Sequence, residues 1–156
     1  MRFTTVLLLT AGVLASSSAF GAEFKVYYLG GQSNMDGYGT VSELPEGWQG
    51  AVENVMIFQG NQGADGAPEG GEGTWAPLQP GFGIGFTSDG NVNTLSDRFG
   101  PELAFGRRMA ELHPGERIAI IKYSRGGTSL LEGASGYGNW EPDSELGGGW
   151  NQYDFA

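Results

Sequence analysis

The stretch that most constrains this chain is a helix followed at once by an apolar strand, residues 101 to 123, with a matching strand far upstream. Pro101 sits where a helix begins, since its missing N–H costs nothing there, and Glu102 suits the positive end of the first turn. Phe105, Met109 and Leu112 recur at i, i+4 and i+7 and share one face, while Arg107, Arg108 and Glu111 fall elsewhere. His113-Pro114-Gly115 stops the helix, and Arg117 to Tyr123 reads as a strand. Phe24 to Leu29 is a second short, β-branched and aromatic run, read as a buried strand, and Val55 to Phe58 is a third candidate. Strand 24–29, helix 101–112 and strand 117–123 predict a βαβ unit with parallel, adjacent strands and a right-handed crossover. The fold class is therefore α/β. Gly106 inside the helix costs about 1 kcal/mol against alanine, which points to close packing at that position.

In open α/β sheets, ligands sit beyond the carboxyl ends of the strands. Two glycine-bearing blocks follow those ends here, Gly30-Gly31-Gln32-Ser33-Asn34 after the first strand and Ser124-Arg125-Gly126-Gly127-Thr128 after the last. Neighbouring strands lie about 4.8 Å apart, so the blocks share one crevice. The glycines permit a sharp turn without Cβ clash, and the N–H groups that follow meet an anion at a helix start. Ser33 is thus placed as a nucleophile would be, although Gly31 and Met35 do not match the Gly-x-Ser-x-Gly elbow. Serine hydrolysis needs a nucleophile, a base, a group that orients the base, and N–H donors for the oxyanion. The sequence offers Ser33 as nucleophile, with the Ser33 N–H and that of Gly126 or Gly127 as donors. A serine that merely caps a helix after a Gly-Gly turn is the plainer reading of Ser33 taken alone.

At 156 residues the chain has room for one domain. Arg2, the apolar run Val6 to Leu14 and the small residues 15 to 22 have the layout of a secretory signal, with cleavage after Ala19 or Gly21. The apolar run is far shorter than the roughly 20 residues that span a bilayer, so a permanent anchor is the lesser alternative. Residues 1–21 are accordingly read as a signal peptide and 22–156 as the domain, secreted or periplasmic. The chain has no cysteine, so packing alone holds it together. A net charge of −10 with no basic cluster argues against nucleic acid and anionic membrane partners. It fixes no oligomeric state. Glycine, at 29 residues, concentrates in 59–90 and 126–149, which makes much of the chain loop.

From Gln59 to Phe99 no helical or alternating pattern is visible, a longer span than structureless loops in compact domains usually reach. Asp65, Glu69 and Glu72 lack the ligand spacing of a known calcium loop, so a solvated loop is favoured over a metal site. Trp75 to Gly81, stiffened by two prolines, either lines a cleft or packs down on the domain.

Gly31-Gln32-Ser33-Asn34-Met35 and Gly126-Gly127-Thr128, helped by Trp75 to Gly81 and Gly100-Pro101-Glu102, resemble the SGNH hydrolases. The nearest branch is their carbohydrate esterases of the sialate O-acetylesterase and acetylxylan-esterase type. The resemblance covers roughly residues 24 to 155. It implies a three-layer α/β/α, flavodoxin-like fold with a parallel sheet, and release of acetate from acetylated carbohydrate such as sialic acid or xylan. Ser33 is then the catalytic residue, and Ser33, Gly126 and Gly127 form the oxyanion hole. Gln32, Asn34 and Thr128 are the candidate substrate contacts, and no metal or organic cofactor is implied. The family's Gln-Gly-Glu-x-Asp block and its final Asp-x-x-His are absent, so the chain is expected to be the N-terminal part of the domain, with its C-terminal part missing. Such a fragment leaves an apolar strand edge unpaired and a sheet face uncovered, and is expected to be inactive alone. Trp150 to Phe155 reads as the start of a further element. The only histidine, His113, lies at the opposite strand end, on the order of 20 Å from Ser33 at about 3.3 Å per residue. The rival reading is a non-catalytic carbohydrate-binding module whose Tyr38, Trp48, Trp75, Trp140 and Trp150 stack on sugar rings.

Overall fold

The computed structural model describes residues 23–63, 67–144, 151–153 and 156. The proposed signal segment, Asp65 and, of the last element, Trp150, Asp154 and Phe155 lie outside the described residues. In chain order the elements are β1 (Phe24–Gly31), the one-turn helix α1 (Ser33–Asp36), β2 (Gly39–Thr40), β3 (Val55–Gln59), β4 (Ala76–Pro77), β5 (Thr87–Ser88), β6 (Asn93–Thr94), β7 (Arg98–Phe99), α2 (Pro101–Leu112) and β8 (Arg117–Ser124). The main sheet runs β1-β8-β3-β4. β8 lies between β1 and β3, parallel to both, and β4 closes antiparallel on β3. The α/β class, the helix at 101–112 and the adjacent parallel pair of β1 and β8 are as the sequence predicts. The third strand is real too, and it flanks β8 on the side away from β1.

Helix α2 covers one face of this sheet. Tyr27 and Leu29 of β1, Ile118 and Ile120 of β8 and Val55 and Ile57 of β3 project toward it, with Leu78, Phe82 and Phe86 filling the core between. Tyr27 meets Phe105 edge-on at 5.2 Å between ring centroids. Gly106 lies where α2 comes closest: a Cβ there would stand 2.1 Å from Leu78 Cδ2 and 3.1 Å from Ile120 Cδ1. The close packing that the sequence implied at this position is thus a contact with fully buried side chains.

Two expectations are corrected. β1 is not a buried strand but an edge strand, with Phe24, Val26 and Tyr28 facing solvent at 38, 59 and 48% exposure. The composition of β1 and β8 is alike; what separates them is that β8 has a neighbour on both sides. Among the described residues no helix covers the face that Val26 and Tyr28 share, so the third layer is not supplied by them. The second correction concerns the described residues of 59–99, which are organised rather than structureless. Leu78 is fully buried behind β4, β5 pairs with β6, and β7 pairs with β2. The segment escaped pattern reading because each of these strands is two residues long, below the length at which periodicity exists. Trp75-Pro77 packs down on the domain, with Trp75 tilted against Phe58 at 5.7 Å and 46% exposed.

Within the core lies an ion pair. Lys122 Nζ and Glu102 Oε2 are 2.7 Å apart and both side chains are fully buried. The same ammonium donates to the carbonyls of Asp36 (3.2 Å) and Phe82 (2.5 Å), and Glu102 Oε1 accepts the Gly100 N–H at 2.8 Å. Burial pushes the Lys122 pKa down, and the facing Glu102 carboxylate pulls it back up. Removing one member of such a pair strands a buried charge and costs about 3–5 kcal/mol. Lys122→Met and Glu102→Gln are each expected to lose stability of this order in urea denaturation, and the double variant less than their sum. Gly106→Ala, which improves helix propensity by about 1 kcal/mol, is expected to lower the melting temperature, because overpacking at such a contact costs about 1–3 kcal/mol.

Candidate active site

β1 and β8 end side by side, Gly31 opposite Ser124, and the chain turns at both ends into the blocks that carry the polar residues. Gly31 has no room for a side chain, since a Cβ would lie 2.9 Å from Met35 Cβ; the absence of one lets α1 fold back on the strand end. Ser33 is the first residue of α1, with Gln32 as the cap residue. Its hydroxyl makes no capping bond to the helix and donates instead to Gln32 Oε1 at 2.9 Å. The helix-cap reading of Ser33 therefore has no support in its hydrogen bonding.

The second block comes up against the first. A Cβ on Gly126 would stand 3.7 Å from Ser33 Cβ and 3.1 Å from Asp36 Oδ2. Gly127, at φ +79°, donates its N–H to Gln32 Oε1 at 3.4 Å. One carboxamide oxygen thus receives both the serine hydroxyl and the glycine N–H. An acyl oxygen that took the Gly127 donor would displace this side chain. Asn34 is exposed beside Ser33. Thr128 is committed to its own loop, donating to the Arg125 carbonyl (2.8 Å) and accepting the Trp140 indole N–H (2.8 Å). Ser33, Gly126, Gly127 and Gln32 are brought together; Thr128 stands behind them and shapes the loop.

Asp36 is a site residue that the sequence reading did not single out. It sits three residues after Ser33 on the same helical turn, is only 2% exposed, and accepts Gln62 Nε2 at 2.7 Å. Its place at i+3 from the serine was the signal available. Burial raises its pKa; Ser124, the Lys122 charge, the Gly126 N–H and Gln62 oppose the rise. An open cleft of about 660 Å³, bordered by Ser33, Asp36, Tyr38, Arg125, Gly127 and Tyr137, lies over the site.

A family model for carbohydrate esterases, described as sialic acid-specific acetylesterases, matches residues 23–141. The chain belongs to this carbohydrate esterase family. No curated protein matches it. The esterase match takes in both glycine blocks, helix α2 and the whole main sheet. It ends at Glu141.

Two further sequence readings are placed by the structure. His113 caps the far end of α2, with Nδ1 3.7 Å from Glu116 Oε1, and lies at the opposite end of β8 from Ser33. The aromatic residues of the rival reading each pack against a different partner: Trp48 under the Arg107 guanidinium at 4.6 Å, Trp75 on Phe58, Trp140 on Tyr123 at 5.8 Å. Of the described set, Tyr38 borders the cleft.

The raised pKa of Asp36 sets a pH dependence. A carboxyl whose folded pKa exceeds its unfolded one binds more protons when folded, so its contribution is full below the unfolded value and is lost as pH rises through the folded one. Wild type is therefore expected to gain stability relative to Asp36→Asn as pH falls from neutrality to below 3.8. Urea titrations of both proteins across that range check it; a difference that does not change with pH overturns it.

Proposed function

We propose that the protein is the nucleophile-bearing part of a carbohydrate O-acetylesterase, with Ser33 attacking the acetyl carbonyl of an acetylated sugar. The observation that carries this reading is the meeting of Ser33 with Gly126 and Gly127 at the joined ends of β1 and β8. Ser33 Oγ forms a bond to the acetyl carbon while a base takes its proton. The carbonyl oxygen becomes an oxyanion, received by the N–H groups of Ser33, Gly126 and Gly127. Collapse expels the sugar alkoxide, which takes a proton back, and water then releases acetate from the acyl-serine. Gln32 turns aside to free the Gly127 donor and, with Asn34 at the rim, contacts substrate; Thr128 holds the loop that carries the donors. Sialic acid, xylan or another acetylated glycan fits this chemistry equally.

The base is not supplied by His113, which stands at the wrong end of the sheet. A serine without a base stays a neutral alcohol, and an oxyanion hole with binding alone leaves about 10³–10⁴ over water. Residues 22–156 by themselves are accordingly proposed to be inactive, the turnover requiring a histidine and its orienting carboxylate from further sequence. Residues 1–21 are proposed as an export signal, placing the domain outside the cytoplasm.

The test is acetate release from acetylated sugars and aryl acetates by the complete gene product. Ser33→Ala is expected to remove turnover, a loss on the order of a millionfold in kcat where a triad serine is involved, with an unchanged melting curve. Retention of a tenth of the activity would assign the nucleophile elsewhere.

A further inference from the structure

Asp36 stands between the Ser33 cleft and a second cavity of about 320 Å³, and borders both. The chemistry proposed for Ser33 gives this carboxyl no task, although it is buried on the nucleophile's own helical turn. A buried charge is costly unless its neighbours favour it, so those neighbours show which form and position the fold maintains.

The backbone of Asp36 is held from several sides. Its N–H donates to the Gln32 carbonyl at 2.9 Å and the Gly37 N–H to the Ser33 carbonyl at 3.2 Å, which locks Asp36 to the turn that carries the nucleophile. The Asp36 carbonyl accepts the buried Lys122 ammonium at 3.2 Å. Gly37, at φ +88°, lies so near Gly100 that a Cβ would stand 2.2 Å from the Gly100 Cα, which leaves the turn no room to drift.

The side chain then reaches two other segments. Oδ1 accepts Gln62 Nε2 at 2.7 Å, and Oδ2 lies against Gly126, 3.1 Å from where a Cβ would stand. Burial pushes the Asp36 pKa up, while the Ser124 hydroxyl, the Lys122 charge, the Gly126 N–H and Gln62 all favour the ionised form. An acceptor-only carboxylate suits such a ring of donors. Segments 33–36, 62–63 and 124–127 thus meet at one side chain, and the Gly63 carbonyl closes the triangle by accepting Arg125 Nη1 at 2.9 Å.

The two glycine N–H groups face differently. That of Gly126 is turned toward Asp36, and that of Gly127 toward Gln32 Oε1 at 3.4 Å, the oxygen that also accepts the Ser33 hydroxyl. Fixing Gly126 against the carboxylate therefore aims the next N–H into the cleft beside Ser33 Oγ. Placement matters there, since an error of about 1 Å can cost about a hundredfold in rate.

We propose that Asp36 is a positioning residue for the oxyanion donors, holding the Gly126–Gly127 turn in register with Ser33 so that the Gly127 N–H meets the acyl oxygen. At 2% exposure it acts through the turn rather than on substrate. The role rests on the esterase reading, because the oxyanion is the one formed by Ser33.

Two measurements on the protein from residue 22 to its natural C-terminus test it. The first is aryl acetate hydrolysis. Asp36→Asn keeps the shape but sets an amide N–H against the surrounding donors, and is expected to lower kcat about a hundredfold. KM is expected to stay unchanged, the split left by an interaction made only in the transition state. Gln62→Met, which releases Oδ1 and leaves the charge, is expected to lose less. A merely structural carboxyl would lower the melting temperature without that split. The second measurement needs no turnover: in ¹⁵N spectra the Gly126 and Gly127 amides are expected to move in both variants, while those of Ile118 and Ile120 stay. Should Asp36→Asn fail to fold, Gln62→Met carries both measurements. Wild-type kcat in Asp36→Asn beside an inactive Ser33→Ala overturns the positioning role and leaves the esterase reading standing. Unmoved Gly126 and Gly127 amides overturn the role even where no acetate is released. Turnover retained by Ser33→Ala sinks the esterase reading and this role together.

Discussion

Everything at the carboxyl end of the sheet hangs on where the Lys122 ammonium goes. It enters the core from the middle strand and cannot remain charged there without partners, because moving an ion out of water costs several kcal/mol even after relaxation. It finds Glu102 at the start of α2, the carbonyl of Asp36 at the end of α1 and the carbonyl of Phe82 in the long connection. Four segments distant in sequence are thereby fixed at one point. The nucleophile-bearing turn is one of them, so the position of Ser33 is tied to the core by its own helix's last carbonyl rather than by surface contacts.

The two glycine blocks then follow from sheet register. Gly31 pairs with Ser124, so both chains leave the sheet at the same level and turn the same way. Ser33, Gly126 and Asp36 converge because glycine at 126 leaves the space that a side chain would fill. The cost of this convergence is a carboxyl buried beside the serine, held by Gln62 from a third segment. A buried carboxyl in a polar crevice is a common companion of catalytic chemistry. Here it also forms the wall between the serine cleft and the neighbouring cavity.

The rest of the molecule reflects how little helix the described residues contain. With α2 on one face only, the sheet shows Val26 and Tyr28 to solvent, an arrangement that a βαβ unit reaches when one of its two helical layers is not present. The connection between β3 and α2 takes over part of the core instead: Leu78, Phe82 and Phe86 come from it, and two-residue strand pairs brace it.

What the sequence determined by itself was local and periodic. The helix at Pro101–Leu112, the strands at 24, 55 and 117, the tight packing of Gly106 and the pairing of the two glycine blocks all follow from spacing, turn residues and the parallel rule, which act within a few residues or within one βαβ unit. The carbohydrate esterase family was legible in the same blocks. What only the tertiary structure decided was everything set by neighbours far along the chain. β1 and β8 have the same kind of composition, and only strand order makes one an edge and the other the centre. Lys122 read as one residue of a strand and Glu102 as a first-turn acid; their pairing joins two elements, and no periodicity encodes it. Asp36 carried no signal beyond its spacing from Ser33 until Gln62 and Gly126 closed over it. Gln59 opened the unpatterned span in the sequence, and only the pairing of β3 with β8 made it the buried last residue of a strand. Burial and hydrogen-bond partnership are properties of the folded neighbourhood, and for these side chains that neighbourhood is assembled from segments tens of residues apart.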